Sequence, residues 1–148
     1  MEKQEKTNRQ KLIDRLEGYN YLCSRILDKQ ETIMEIRSRL ESSSTSSVDA
    51  IPNFGGGNKY EDKLANAFDR LTTLEWELCE ALADKRTVDI AMQNLDAMEK
   101  DIIDLFYINR PRYSSHLSKL QAKYHYEKTR IYEIKDEALD KLEQIMYK

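Results

Sequence analysis

The 148-residue sequence predicts an all-α fold: a long antiparallel, coiled-coil-like helical hairpin followed by a helix-turn-helix. Three observations point there. Four Gly and two Pro stand beside 34 % charged residues, a composition suited to long helices. Apolar residues recur three and four apart over two extended stretches on either side of a Ser/Gly-rich segment. Beyond them, two short helical patterns meet at Tyr124-His125-Tyr126.

The first stretch carries Leu12, Leu16, Tyr19, Cys23, Ile26, Gln30, Ile33, Arg37 and Leu40, alternating four and three apart as a heptad seam. Gly18 is its weak point. Gln30 and Arg37 lower the seam's stability but can set its register. Leu22, Leu27, Met34 and Ile36 widen the apolar surface beyond one narrow stripe. Leu22, Leu27 and Ile36 lie off the seam, so the hairpin is expected to associate as a homo-oligomer, most simply a dimer.

A Ser-rich run at 42–47, Pro52 and Gly55-Gly56-Gly57 then predict a flexible loop at about 42–59. No strand precedes the glycines and no Gly-Lys-Ser/Thr follows them, which argues against a phosphate-binding loop. The second seam is Leu64, Ala67, Leu71, Leu74, Leu78, Ala81, Lys85, Val88, Met92 and Leu95. Two such helices joined by a loop fold back on each other, so residues 1–94 read as the hairpin. Cys23 would then face Leu78 and Cys79, with both cysteines as small core residues.

Residues 95–148 read as the helix-turn-helix domain. The second seam either breaks near Asn94 or runs on, since Asn94 with Ala97 makes no capping box. Ile102, Ile103, Leu105, Phe106 and Tyr107 form an apolar helix that must stop near Asn109-Arg110, ahead of Pro111. Ser114 or Ser115 can cap the next helix, on which Leu117 and Leu120 share a face. In the last helix Ile131, Ile134, Ala138 and Leu142 share the buried face. Lys128, Thr129, Tyr132 and Glu133 occupy the opposite face of its first turns. A polar, partly basic face on such a helix is what a recognition helix presents to the major groove. Lys128 can donate to guanine, Thr129 can touch a thymine methyl, and Glu133 can accept from cytosine. Tyr132 could pack on a base or sugar.

Net charge is −3, yet residues 110–135 carry seven Lys/Arg against two Glu, a local +5 that leaves −8 elsewhere. This asymmetry assigns Arg110, Arg112, Lys119, Lys123, Arg130 and Lys135 to phosphate contacts.

From Tyr126 onward, Y-E-K-T-R-I-Y-E-I-K-D-E-A-L-D-K-L resembles the second half of region 4 of bacterial sigma factors, with Arg130-Ile131 and Ala138-Leu139-Asp140-Lys141-Leu142 at matching places. Glu99–Tyr107 resembles the first helix of that region. The chain as a whole resembles phage-encoded late transcription activators of the RinA, ArpU and LtrC kind. Three positions depart from the sigma pattern: Glu127 where Ser or Thr usually caps, His125 where Gly often turns, and Phe106 where a basic residue is usual. The helix carrying Phe106 is therefore expected to meet something other than phosphate, such as the hairpin. The resemblance implies a transcription activator that binds double-stranded DNA, with bacterial RNA polymerase as a further partner. Alternatives from other classes are a small-terminase-like packaging protein and a helical interaction protein docking on RNA polymerase.

No apolar run approaches the ~18 residues a membrane span needs, and Met1–Lys6 lacks the apolar core of a secretory signal. A cytoplasmic, cofactor-free, non-enzymatic protein is expected. His116 and His125 are nine apart without an intervening cysteine, so no zinc spacing exists; a phosphate contact or a turn suits them better. No nucleophile motif is present. Tyr113, Tyr124 and Tyr126 read as core aromatics.

Overall fold

The computed structural model describes residues 4–46, 57–113 and 115–148, without the side chains of 43–46, 57 and 58. Regular structure among them is entirely helical: α1 (Asn8–Glu17), α2 (Tyr19–Ser46), α3 (Gly57–Gln93), α4 (Ala97–Ile103) continued by a π-helical turn (Asp104–Ile108), α5 (His116–Tyr124) and α6 (Lys128–Met146). None of these helices is long and apolar enough to cross a membrane. Helix takes the flanks of the expected 42–59 loop, up to Ser46 and from Gly57; residues 47–56 lie outside the described part. The chain divides into two compact units: residues up to Leu22 with Asp84–Lys148, and Cys23–Ala83. The expected boundary at 94 and 95 thus falls inside the first unit.

That unit begins with a capping box. The Thr7 hydroxyl accepts the Gln10 N–H at 3.3 Å, and the Gln10 side chain accepts the Thr7 N–H at 3.1 Å, satisfying donors that α1 leaves open. Gly18 closes α1 with its N–H on Asp14 O at 2.9 Å. A Cβ at Gly18 would sit 3.1 Å from that oxygen, so the close approach favours glycine. Leu12 and Leu16 of α1 pack with Val88, Ala91 and Leu95, with Ile103, and with Ala138, Leu139 and Leu142 of α6. Full burial of each leucine contributes about 1.5–3 kcal/mol. Arg9 reinforces the α1–α6 contact, binding Glu143 at 2.8 Å and also Asp140. The N-terminal residues of the first seam therefore cover the C-terminal half of α6, which is why the unit does not end at 94.

A capping box at Asp96 starts α4. Asp96 accepts the Glu99 N–H at 2.8 Å, and Glu99 accepts the Asp96 N–H at 3.3 Å. Glu99 is buried, and its carboxylate receives Lys141 Nζ of α6 at 2.9 Å. Of the two readings, the break near Asn94 is the one observed, since α3 ends at Gln93, and its capping box is Asp96-x-x-Glu99 rather than Asn94 with Ala97.

The π-helical turn closes with the Asn109 N–H on Asp104 O at 2.7 Å, one residue wider than an α-turn. It divides a single apolar run between two clusters. Ile108 packs on the cluster around Leu12, and Phe106 joins Ile102, Leu120, Ile131 and Ile134, while Tyr107 touches both. The helix carrying Phe106 thus meets residues of the expected hairpin through Ile103, which packs with Leu12, Leu16, Val88 and Ala91, while Phe106 itself lies in the α5–α6 core.

In the second unit Ile26, Ile33 and Ala81 are buried, and Leu64, Ala67, Leu71, Leu74 and Leu78 are half-buried, as their heptad places predict. Lys29 Nζ lies 2.7 Å from Glu77, and Arg37 pairs with Glu75. Advancing along α2 therefore retreats along α3. The first seam shifts within α2: Ile36 takes the buried place, and Gln30 and Arg37 are exposed. Ile36 is consequently unavailable to a second molecule, whereas Leu27 is exposed. Cys23 is half-buried, Cys79 is exposed rather than core, and both thiols are free.

Candidate nucleic-acid interface

α5 and α6 are joined by His125, Tyr126 and Glu127. His125 adopts φ 57° and ψ 31°, the left-handed conformation in which glycine is usual, and its N–H donates to Gln121 O at 2.9 Å. Histidine tolerates this region better than β-branched residues do. Ser115 occupies the cap of α5, and Glu127 the cap of α6; neither side chain bonds the helix end. The turn is held instead by packing, with Leu120 of α5 fully buried against Ile131 and Ile134 of α6.

With that face locked, the opposite side of α6 is fixed. Lys128, Thr129 and Glu133 are exposed. Tyr132 was expected beside them but is half-buried, its ring meeting Phe106 edge-on at 5.6 Å. Phe106 in turn meets His116 edge-on at 4.7 Å. Lys135 Nζ lies 4.8 Å from the Tyr132 ring centre and 5.5 Å from that of Phe106, within cation–π range. Its side chain is only 17 % exposed and its ammonium is 3.5 Å from Asp136, so Lys135 is largely occupied within the fold. Lys128 approaches the other side of Tyr132 at 5.8 Å.

The other expected phosphate ligands fall into two groups. Arg110, Arg112 and Lys119 are exposed and form no ion pair among the described residues. Lys123 and Arg130 are already paired. Arg130 lies 3.2 Å from Glu133 and 3.9 Å from Glu137. Lys123 donates to Asp101 at 2.5 Å, and the Tyr124 hydroxyl donates to the same oxygen. Hydrogen bonds from Lys123 and Tyr124 hold the Asp101 carboxyl below its usual range, and the bond to Asp101 holds the Lys123 ammonium above its own. Asp101 is the residue that a search for cations alone overlooks, because it lies one helix earlier in the chain.

The histidines have separate places. His125 makes the turn. His116 is 8 % exposed, meets Phe106 edge-on, and has no hydrogen-bond partner for its Nδ1 among the described residues, so it is a core residue rather than a phosphate ligand. Burial, and then the charge of Arg110, lower its pKa. Of the tyrosines expected in the core, Tyr124 packs against the Leu120 cluster, while Tyr113 and Tyr126 are exposed. Among the described residues no cluster of His, Cys, Asp or Glu could hold a metal ion. No family model, no curated protein and no solved structure matches the chain.

Proposed function

We propose that the chain is a sequence-specific DNA-binding regulator of transcription, an activator of late genes in a phage or prophage. In this reading α5, the three-residue turn and α6 form a helix-turn-helix, which follows in the chain a helical hairpin built by α2 and α3. Double-stranded DNA is the ligand, bacterial RNA polymerase a further partner, and the working form a pair of copies within the cytoplasm of a bacterial host. The observation that carries it is the division of α6: Ile131 and Ile134 are locked against Leu120, so Lys128, Thr129 and Glu133 stand together on the exposed side. Those three side chains supply a donor, a methyl and an acceptor, the complement of base edges in the major groove. Arg110, Arg112 and Lys119 add exposed positive charge for the backbone.

The experiment is selection of bound fragments from a randomised duplex pool by the purified full chain. A recurrent sequence supports the reading, and relaxed preference at one of its positions with Glu133→Ala assigns the recognition helix. Retention of no sequence over background, even at low salt, would refute DNA recognition. Assembly into a ring of eight or more subunits would favour the packaging alternative.

A further inference from the structure

A two-helix pair needs one apolar seam per helix; a bundle needs two. In the second unit α2 and α3 each carry a second one. On α2, Leu27, Gln30, Met34 and Arg37 repeat at spacings of three, four and three beside the buried seam of Ile26, Ile33 and Ile36. On α3, Phe68, Glu75, Cys79 and Leu82 repeat at seven, four and three beside the seam of Leu64, Leu71 and Leu78. The apolar members of this second set are open to solvent: Leu27 is 61 % exposed, Met34 68 %, Phe68 51 % and Leu82 41 %. The two stripes lie on one side of the helix pair, because Gln30, Met34 and Arg37 line the same groove of about 520 Å³ as Glu75, Leu78 and Cys79. Among the described residues the one ion pair spanning this groove, Arg37 with Glu75, cancels its charge.

The other side of the pair is different. Its groove is lined by Lys63 and Arg70 with Ile36, Tyr60 and Leu64, and no acidic residue is among its lining. A two-fold axis brings like surface to like surface. Two copies joined by this basic side would set positive charge against positive charge, which opposes association. The neutral, apolar side has no such conflict.

We infer that a second copy of the chain covers the Leu27–Met34–Cys79 side of α2 and α3, the two pairs closing into a four-helix bundle. The inference deepens the proposed pairing of copies and is independent of DNA recognition. Gln30, and Arg37 with Glu75, are the polar positions within the new seams, the type that selects register and partner number in helical assemblies. The residues off the first seam that serve the second copy are Leu27 and Met34, not Leu22 or Ile36.

The test is the mass of the full chain without DNA, by light scattering over a range of micromolar concentrations. Wild type should run at twice the mass of one chain. Met34→Glu, and separately Cys79→Arg on the other helix, should each run as one chain, weakening association at least ten-fold with helicity retained by circular dichroism. Lys63→Glu with Arg70→Glu, on the basic side, should leave the mass doubled. A wild-type monomer at every concentration overturns the inference. So does a doubled mass that survives both Met34→Glu and Cys79→Arg, or one lost equally on changing the basic side. None of these outcomes depends on whether the chain recognises DNA, so this inference and the proposed function can fail separately.

Discussion

The ammonium of Lys123 lies 2.5 Å from a carboxylate oxygen of Asp101, so one of the expected phosphate ligands is already satisfied within the protein. A phosphate must displace Asp101 to use it. Asp101→Asn removes the competing charge and leaves an oxygen for the Tyr124 hydroxyl. This variant should bind duplex DNA of any sequence more tightly, and its plot of log affinity against log salt should steepen by about 0.9, the increment for one added phosphate. Fluorescence titrations at several salt concentrations measure both. An unchanged slope would mean that Lys123 faces away from the DNA.

Glu133 and Arg130 form an exposed pair at 3.2 Å, but their expected roles differ. Glu133→Ala should relax preference at one base position, losing about 1–3 kcal/mol of discrimination there, and should leave non-specific binding equal or slightly stronger. Arg130→Ala should weaken specific and non-specific binding together. Comparison on a randomised pool at fixed salt separates the two effects. A selected sequence unaltered by Glu133→Ala places α6 outside the groove.

Leu16 is fully buried among residues of α3 and α6. Leu16→Ala should therefore destabilise the first unit by about 2–5 kcal/mol, the usual cost of such a cavity, although it lies far along the chain from the proposed DNA-binding helices. Urea unfolding followed by helicity, with DNA binding measured in parallel, checks this. Leu120→Ala should show a loss of the same order. Wild-type stability in Leu16→Ala would detach α1 from the unit.

His116 is held below its ordinary pKa by burial first and by Arg110 second. The unfolded chain therefore takes up that proton more readily than the folded one. Stability linked to His116 is complete above the unfolded pKa of about 6.5 and is lost progressively as pH falls below it. Urea midpoints at about pH 7.5 and about pH 5.5 should differ in wild type, with the lower value in acid. His116→Phe, which keeps a ring against Phe106, should shrink that difference. An equal acid sensitivity in the variant would assign it to other groups.

Periodicity made the helices legible. The second seam of Leu64 through Leu95 lies buried or half-buried along its whole length, because spacing alone fixes which side of a helix a residue occupies. The turn at His125 was legible for the same reason, as the place where two apolar phases cease to match. Partnership between helices was less so. Arg37 and Ile36 are neighbours in sequence, and either could have filled the seam; only the placing of α3 decides for Ile36. Tyr132 shares the phase of Lys128, yet Phe106 draws its ring inward. The π-helical turn at Asp104–Ile108 set that position of Phe106, and one extra residue in a turn leaves no mark on an apolar run. Lys123, Arg130 and Lys135 read as free cations because their partners, Asp101, Glu133 and Asp136, are ordinary surface acids in sequence.

The contact of α1 with α6 has a consequence for biogenesis. Arg9 and Asp140, which pair, stand 131 positions apart, and Leu12 and Leu16 find their partners Ala138, Leu139 and Leu142 at a similar remove. On the ribosome, α1 emerges before α6, and the part of its apolar side that meets α6 stays uncovered while α2, α3 and α5 are being made. The first unit cannot close until α6 has left the ribosome, whereas Cys23–Ala83 can pair helix to helix before then. A truncated product that stops before Ala138 would display the leucines of α1 to the cell's chaperones and proteases.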